Sequence, residues 1–237
     1  MTEFCQTTVA ETIYNTLDAI RELGQNATFL GKAGVGKSFA ISHYVADNPG
    51  QAWMLTATDA SGGSARHLFR TFCKFLDISA SGSIAEIQDR IFAYELRGSV
   101  LIIDEAQNLN AQGIRELLYL NSGSNLAIAF CGNYQVIKNA HVDEGPLDVI
   151  GSRIHFREKF TQITANDAET IAGTFGVTDP DSVTLLRGVG AKSQARGLNF
   201  VLTIARRIAG IGEPITLAHL KTVLDKFPQH KPALPDR

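Results

Sequence analysis

The sequence holds 237 residues, 44% hydrophobic and 19% charged, with a formal net charge of −2. That composition suits one large globular domain or one domain with a small companion, and it lacks the global basicity that announces a nucleic-acid binder. Cys5, Cys73 and Cys131 show no paired spacing, which speaks for reduced thiols in a cytoplasmic protein and against disulfides or a zinc site; no signal peptide opens the chain, and no apolar run approaches the roughly 20 residues of a membrane span.

Val9, Ile13, Leu17, Ile20 and Leu23 recur at helical spacing and predict an amphipathic helix over residues 7–23, stopped by Gly24. Ala27–Leu30 reads as a short strand, followed by a glycine-rich turn and a helix from Lys37 to about Ala46. Ala52–Thr56 is a second strand, and Ser61–Ser64 a loop. Two helices follow, one carrying Leu68, Phe69, Phe72 and Leu76, the other Ile84, Ile87, Ile91 and Leu96. Ser99–Ile103 is an apolar strand without alternation, as a central parallel strand requires. A helix over 111–120, a strand over Leu126–Cys131 and an alternating strand over Ile154–Phe160 complete this part. Strands alternating with helices imply right-handed crossovers and a parallel sheet covered on both faces.

From Thr161 the strand signal disappears, and helices are expected near 165–175, 179–187, 195–209 and 216–226. Leu198, Val201, Leu202, Ala205 and Ile208 form an apolar stripe that reads as core, with Arg206 and Arg207 off it in water. The expected plan is an α/β domain over 1–160, a helical domain over 161–228 and a frayed tail over 229–237. Residues 1–160 carry 13 Lys/Arg against 17 Asp/Glu, and residues 161–237 carry 9 against 7. The charge balance therefore says little about partners.

The chemistry is concentrated in two places. Between the first strand and its helix lies Gly31-Lys32-Ala33-Gly34-Val35-Gly36-Lys37-Ser38, the GxxxxGK[ST] pattern in its required strand–loop–helix context. Its glycines let successive N–H groups turn inward as an anion nest, and the helix adds its positive end. Lys37 is placed to reach the β- and γ-phosphates, and the Ser38 hydroxyl to ligate Mg²⁺. The second place is the end of the apolar strand, Val100-Leu101-Ile102-Ile103-Asp104-Glu105. A carboxylate ending a buried strand needs a positive partner. In P-loop NTPases that partner is the same Mg²⁺, so Asp104 reads as a metal ligand and Glu105 as the base that orients the attacking water. Asn133, after the next strand, is a candidate to bond the γ-phosphate or the water. Arg153, entering the last strand, is a candidate arginine finger for a neighbouring subunit, with Arg157 as its substitute.

On GKAGVGKS, LIIDEAQNL, the polar Asn133 and GSRIHFREKF leading into helices, the chain resembles the AAA+ ATPases. Within that class AIAFCGNYQVI, QARGLNFVLTIARRIA and ITLAHLKTVLDKF make it most similar to the transposition ATPases, the group of the Mu-like phage B protein, TnsC, TniB and IstB. The resemblance spans about residues 7–228. It implies a Mg²⁺-dependent ATPase that assembles as a ring or helical filament on double-stranded DNA, selects target sites and stimulates a transposase. It also implies nucleotide contacts from Gly31 to Phe39, an Asn133 sensor, an Arg153 finger and a second sensor at Arg196 in the helical lid.

The phage B proteins carry a DNA-binding domain before the ATPase, and this sequence starts almost at the ATPase. DNA contact is therefore expected from the core, at Arg66, the Ser61–Ser64 loop, Lys74 and Ser83. Two other readings stand beside this one: a helicase loader or replication-initiation ATPase, and a slow-turnover P-loop signalling switch.

Overall fold

The computed structural model describes residues 4–58, 63–134, 136 and 153–232. The chain falls into two compact units. One gathers Thr12–Gly31 and Ser38–Lys159; the other gathers Met1–Glu11, Lys32–Lys37 and Phe160–Arg237.

The first unit is built on a five-stranded sheet. The strands are β1 (Ala27–Gly31), β2 (Ala52–Thr56), β3 (Val100–Asp104), β4 (Ala127–Gly132) and β5 (Phe156–Phe160). Their order in space is β2-β3-β4-β1-β5. β2 with β3, β3 with β4 and β4 with β1 pair in parallel. β5 runs the same way as β1, because Phe156 N–H donates to the Asn26 carbonyl and Lys32 N–H to that of Phe160. β3 and β4 are buried along their whole length and carry the apolar runs such a position demands. The outer strand β5 alternates and places Arg157 and Lys159 in solvent, which protects an open edge from pairing.

Helix α1 (Thr8–Leu23) precedes β1, and α2 (Lys37–Asp47), α3 (Arg66–Phe75), α4 (Ile84–Phe92) and α5 (Ala111–Ser124) connect β1 through β4. Phe69, Phe72, Ile87 and Ile91 from α3 and α4 pack with Leu101, Ile103, Ile128 and Phe130 of the sheet in one core cluster. Two boundaries differ from the sequence reading. α4 stops at Phe92, so Leu96 is buried beyond the helix and not on it. α5 runs four residues past the expected Leu120, to a left-handed cap at Asn125.

The second unit contains α6 (Ala165–Thr174), α7 (Pro180–Ala209) and α8 (Leu217–Lys226). α7 is two helical pieces divided at Gln194, whose backbone is non-helical (φ 58°, ψ −173°). Its first piece extends past the expected Arg187 through Gly188 and Gly190. At Gly190 any Cβ would stand 3.0 Å from Ala168 Cβ and from Ile163 Cδ1, so glycine serves close packing here and does not end the helix. Leu198, Val201, Leu202 and Ala205 are core as expected, but Ile208, in the last turn of α7, is 40% exposed. Arg206 is not left to water: it donates to the carbonyls of Glu213 and Phe175, tying two loops together. The buried Asp167 carboxylate accepts the N–H of Thr8 at 2.6 Å and that of Thr164 at 2.8 Å, so one side chain satisfies the starts of α1 and α6. Among the described residues, no helix is long and apolar enough to cross a membrane.

Candidate functional site

The three inner strands β3, β4 and β1 are in register and parallel, so their carboxyl ends share one edge of the sheet. Open α/β sheets bind ligands outside such an edge. Three sequence candidates stand there. Asp104 is the last residue of β3 and is buried, Glu105 follows it in solvent, and Asn133 follows Gly132 at the tip of β4. Asp104 Oδ1 accepts the N–H of Glu105 at 2.9 Å. Glu105 adopts a left-handed backbone (φ 53°, ψ 36°) as it enters a 3-10 turn at Ala106–Asn108. A non-glycine residue in an unfavoured region costs about 1–3 kcal/mol, and such costs gather at functional sites. The turn itself is anchored to β2 by Asn108 Nδ2, which donates to the Ala57 carbonyl at 3.0 Å.

The chain leaves β1 at Gly31 from this same edge and enters α2 at Lys37. Within the connection Gly34 and Gly36 have φ of 87° and 109°, the positive values that turn backbone N–H groups toward an anion. Lys37 is buried, and its Nζ donates to the Lys32 carbonyl at 3.1 Å, arching over its own loop. Ser38 and Phe39 are exposed on the first turn of α2, and the Phe39 ring meets His43 edge-on at 4.7 Å. Arg196 lies against the loop. Its N–H donates to the Gly34 carbonyl at 2.9 Å, and a Cβ on Gly34 would stand 3.1 Å from Arg196 Cβ. Gln194 makes that approach possible: the break in α7 gives Arg196 a place at the start of a new helical piece, and Gln194 Oε1 accepts the Ile163 N–H at 2.9 Å. Nothing in the local sequence signals this break, because Gln is an ordinary helix former.

Ser38 and Asp104 supply a hydroxyl and a carboxylate oxygen, hard donors of the kind Mg²⁺ takes alongside water and phosphate oxygens. Two oxygens from the chain with the rest from a nucleotide is the usual composition of such a site, so the residues fit the metal. Among the described residues, no group of three or more His, Cys, Asp or Glu could hold a metal by itself.

Arg153 is elsewhere. Its carbonyl accepts from Asn26 Nδ2 at 3.0 Å, and Asn26 immediately precedes β1, so Arg153 stands at the opposite edge of the sheet. The length of a five-residue strand, about 17 Å, separates that edge from the carboxyl ends. The buried Asn26 also bonds Asn121 and the N–H of Ile128, an anchor that the sequence reading did not single out. Arg153 is exposed, while Arg157 Nε donates to the Ile154 carbonyl at 3.2 Å.

The residues expected to face DNA lie on α3 and α4. Arg66, Arg70 and Lys74 follow one another at i, i+4, i+8 on the exposed face of α3, a helix with no acidic residue. Arg70 was missed in the sequence reading although its spacing completes the row. Arg66 also donates to the Gly82 carbonyl at 3.2 Å. The Ser83 hydroxyl caps α4 in a reciprocal box with Glu86, which is a structural task. Ser61 and Gly62 of the expected loop lie outside the described residues.

A family model described as an AAA domain matches residues 20–138. The chain is 23% identical over 192 residues to the Mu-like prophage FluMu DNA transposition protein B of Haemophilus influenzae, covering 78% of this chain and 66% of that protein. It is 25% identical over 224 residues to the ATP-dependent target DNA activator B of Escherichia phage Mu, covering 92% and 71%. The chain thus spans about two thirds of the length of these relatives. Among solved structures it is similar to the Aeropyrum pernix ORC2 protein, with a TM-score of 0.64 at 13% identity over 92% of this chain and 66% of that one. It is also similar to domain III of the Thermotoga maritima replication initiation protein DnaA, with a TM-score of 0.61 at 16% identity over 94% of each. At such identities the structural likeness concerns the fold.

Proposed function

The chain belongs to the AAA domain family, and from that premise we propose that it is a Mg²⁺-dependent ATPase that assembles on double-stranded DNA and regulates transposition. In this reading residues 1–160 form the nucleotide-binding domain and residues 161–228 its helical lid, in a cytoplasmic protein. The observation that carries the catalytic part is the end of β3. A buried carboxylate at the carboxyl edge of the sheet is followed by an exposed one, in a chain whose β1–α2 connection is a phosphate loop. Relatives named for DNA transposition and ATP-dependent target DNA activation support the biological part.

Each residue then has a task. The Gly31–Ser38 loop cradles the phosphates, with Lys37 on the β- and γ-phosphates. Ser38 and Asp104 would hold Mg²⁺, which would supply countercharge to the phosphate oxygens. Glu105 takes the proton of the attacking water, and Asn133 orients the water or the γ-phosphate. Arg196 senses the nucleotide from the lid. Arg153, at the far edge of the sheet, serves the nucleotide of the neighbouring subunit. Arg66, Arg70 and Lys74 face the duplex, each contributing little, because many subunits share one DNA molecule. The transposase meets the assembled form.

The decisive experiment is co-sedimentation with duplex DNA and ATP, with hydrolysis measured in parallel. Glu105→Gln is expected to lose about 10²–10⁴-fold in turnover while staying on the DNA, since binding survives and release does not. Lys37→Ala is expected to fail to assemble. Wild-type turnover in Glu105→Gln sinks the assigned base. Failure of the wild-type protein to pellet with duplex at low salt, where electrostatic binding is strongest, sinks the DNA assembly.

A further inference from the structure

At the carboxyl edge of the sheet, one side chain without a role so far touches two that have one. Gln107 sits in the 3-10 turn after Glu105. Its Nε2 donates to Glu105 Oε2, and its Oε1 accepts the backbone N–H of Asn133 at 3.2 Å. The orientation of the amide is dictated by these partners. A carboxylate only accepts and an N–H only donates, so the flipped amide would set oxygen against oxygen and N–H against N–H. Both halves of a single planar group are therefore committed, one to each neighbour.

The backbone is shaped around this arrangement. A Cβ on Gly132 would stand 2.3 Å from Gln107 Oε1 and 2.9 Å from Val136 Cγ2, so no side chain fits at the tip of β4 while the amide is in place. Glu105 has a left-handed backbone, and its N–H is held by Asp104 Oδ1. The tip of β4, the amide and the carboxylate form one hydrogen-bonded path between Asn133 and Glu105.

Resting on the reading of Glu105 as the base, we propose that Gln107 is a positioning residue that fixes the Glu105 carboxylate and couples it to Asn133. When Asn133 meets a γ-phosphate and the tip of β4 shifts, the bond to Gln107 Oε1 shifts with it, and the same rigid amide reorients the carboxylate through Nε2. Hydrolysis and γ-phosphate recognition are thereby linked inside one subunit, without contact from Gln107 to the nucleotide.

The test is a set of steady-state measurements on the full chain assembled on duplex DNA. Gln107→Ala is expected to lower kcat about tenfold to a hundredfold, the range for a misplaced catalytic group, with KM for ATP within about twofold of wild type. Gln107→Glu keeps the shape but turns the donor into a second carboxylate facing Glu105, and is expected to fall at least as far. In a Glu105→Gln background, measured by single turnover, Gln107→Ala is expected to remove nothing more, because the group it positions is already gone. Normal kcat in Gln107→Ala overturns the inference. So does a further multiplicative loss in the Glu105→Gln background, or a loss matched by lower binding of a slowly hydrolysed analogue. Wild-type turnover in Glu105→Gln alone instead brings down the base assignment itself, so the two failures are distinguishable.

Discussion

The carboxyl edge of the sheet and the cationic surfaces away from it are built on opposite plans. At the edge, Asp104, Glu105, Gln107 and Asn133 are linked in a row by hydrogen bonds at the ends of two neighbouring strands. Arg153 at the far edge and Arg70 and Lys74 on α3 are exposed, on faces turned to solvent. A wired cluster can be complete within one chain, and its hydrogen bonds, those of the Gln107 amide among them, hold its groups together before any ligand arrives. An exposed cation is worth little in water and gains value only when something else desolvates it. The contrast teaches that the polar groups at the sheet edge are held by the chain's own hydrogen bonds, whereas Arg153, Arg70 and Lys74 stand open to other molecules.

Substitutions at three places test that contrast, from large effect to small. Arg153→Ala is expected to lower turnover of the assembled protein by about 10³-fold or more, the scale of an arginine finger supplied in trans. Mixing Arg153→Ala chains with Glu105→Gln chains, which stay on the DNA, is expected to recover activity, since some interfaces then pair an intact Glu105 with an intact finger. No recovery in the mixture removes the role in trans and with it one half of the contrast.

Single substitutions Arg66→Ala, Arg70→Ala and Lys74→Ala are expected to weaken duplex binding only a few-fold each. Each is expected to reduce the slope of log affinity against log salt by about one, as for a lost phosphate contact. Unchanged slopes in all three move the DNA surface away from α3.

The smallest effect belongs to Ser83. Loss of its cap in Ser83→Ala is expected to cost about 1 kcal/mol of stability by chemical denaturation and to leave the salt slope of DNA binding alone. A changed slope would return Ser83 to the DNA surface. The same box has a pH signature. The Ser83 backbone N–H, and then its hydroxyl, hold the Glu86 carboxyl below its ordinary range. A carboxyl lowered on folding stabilises above its unfolded pKa, and the contribution disappears as pH falls through the folded value. The stability gap between wild type and Glu86→Gln is therefore expected to close on acidification.

Much of the site is legible in the sequence because its elements are local. A phosphate loop needs glycines at fixed offsets between a strand and a helix, and a metal carboxylate needs a buried strand before it. Those requirements mark Gly34, Gly36, Lys37, Ser38 and Asp104 directly. Gln107 escapes such reading because both of its partners are set by geometry: one by a left-handed residue two positions back, the other by the neighbouring strand. Arg70 is different, since its spacing with Arg66 and Lys74 was present in the sequence and only its shared exposed face gives it meaning.

The α/β order, the sheet-buried strands and the polar residues at the ends of β1 and β3 are written in the sequence, since burial patterns and glycine placement act over a few residues. What those ends meet is set by tertiary packing. The break at Gln194 seats Arg196 against Gly34, the buried Asp167 ties the start of α1 to α6, and Asn26 fixes Arg153 at the far edge of the sheet. Each of these rests on hydrogen bonds between residues far apart in the chain, whose partners are chosen by packing and not by local preference.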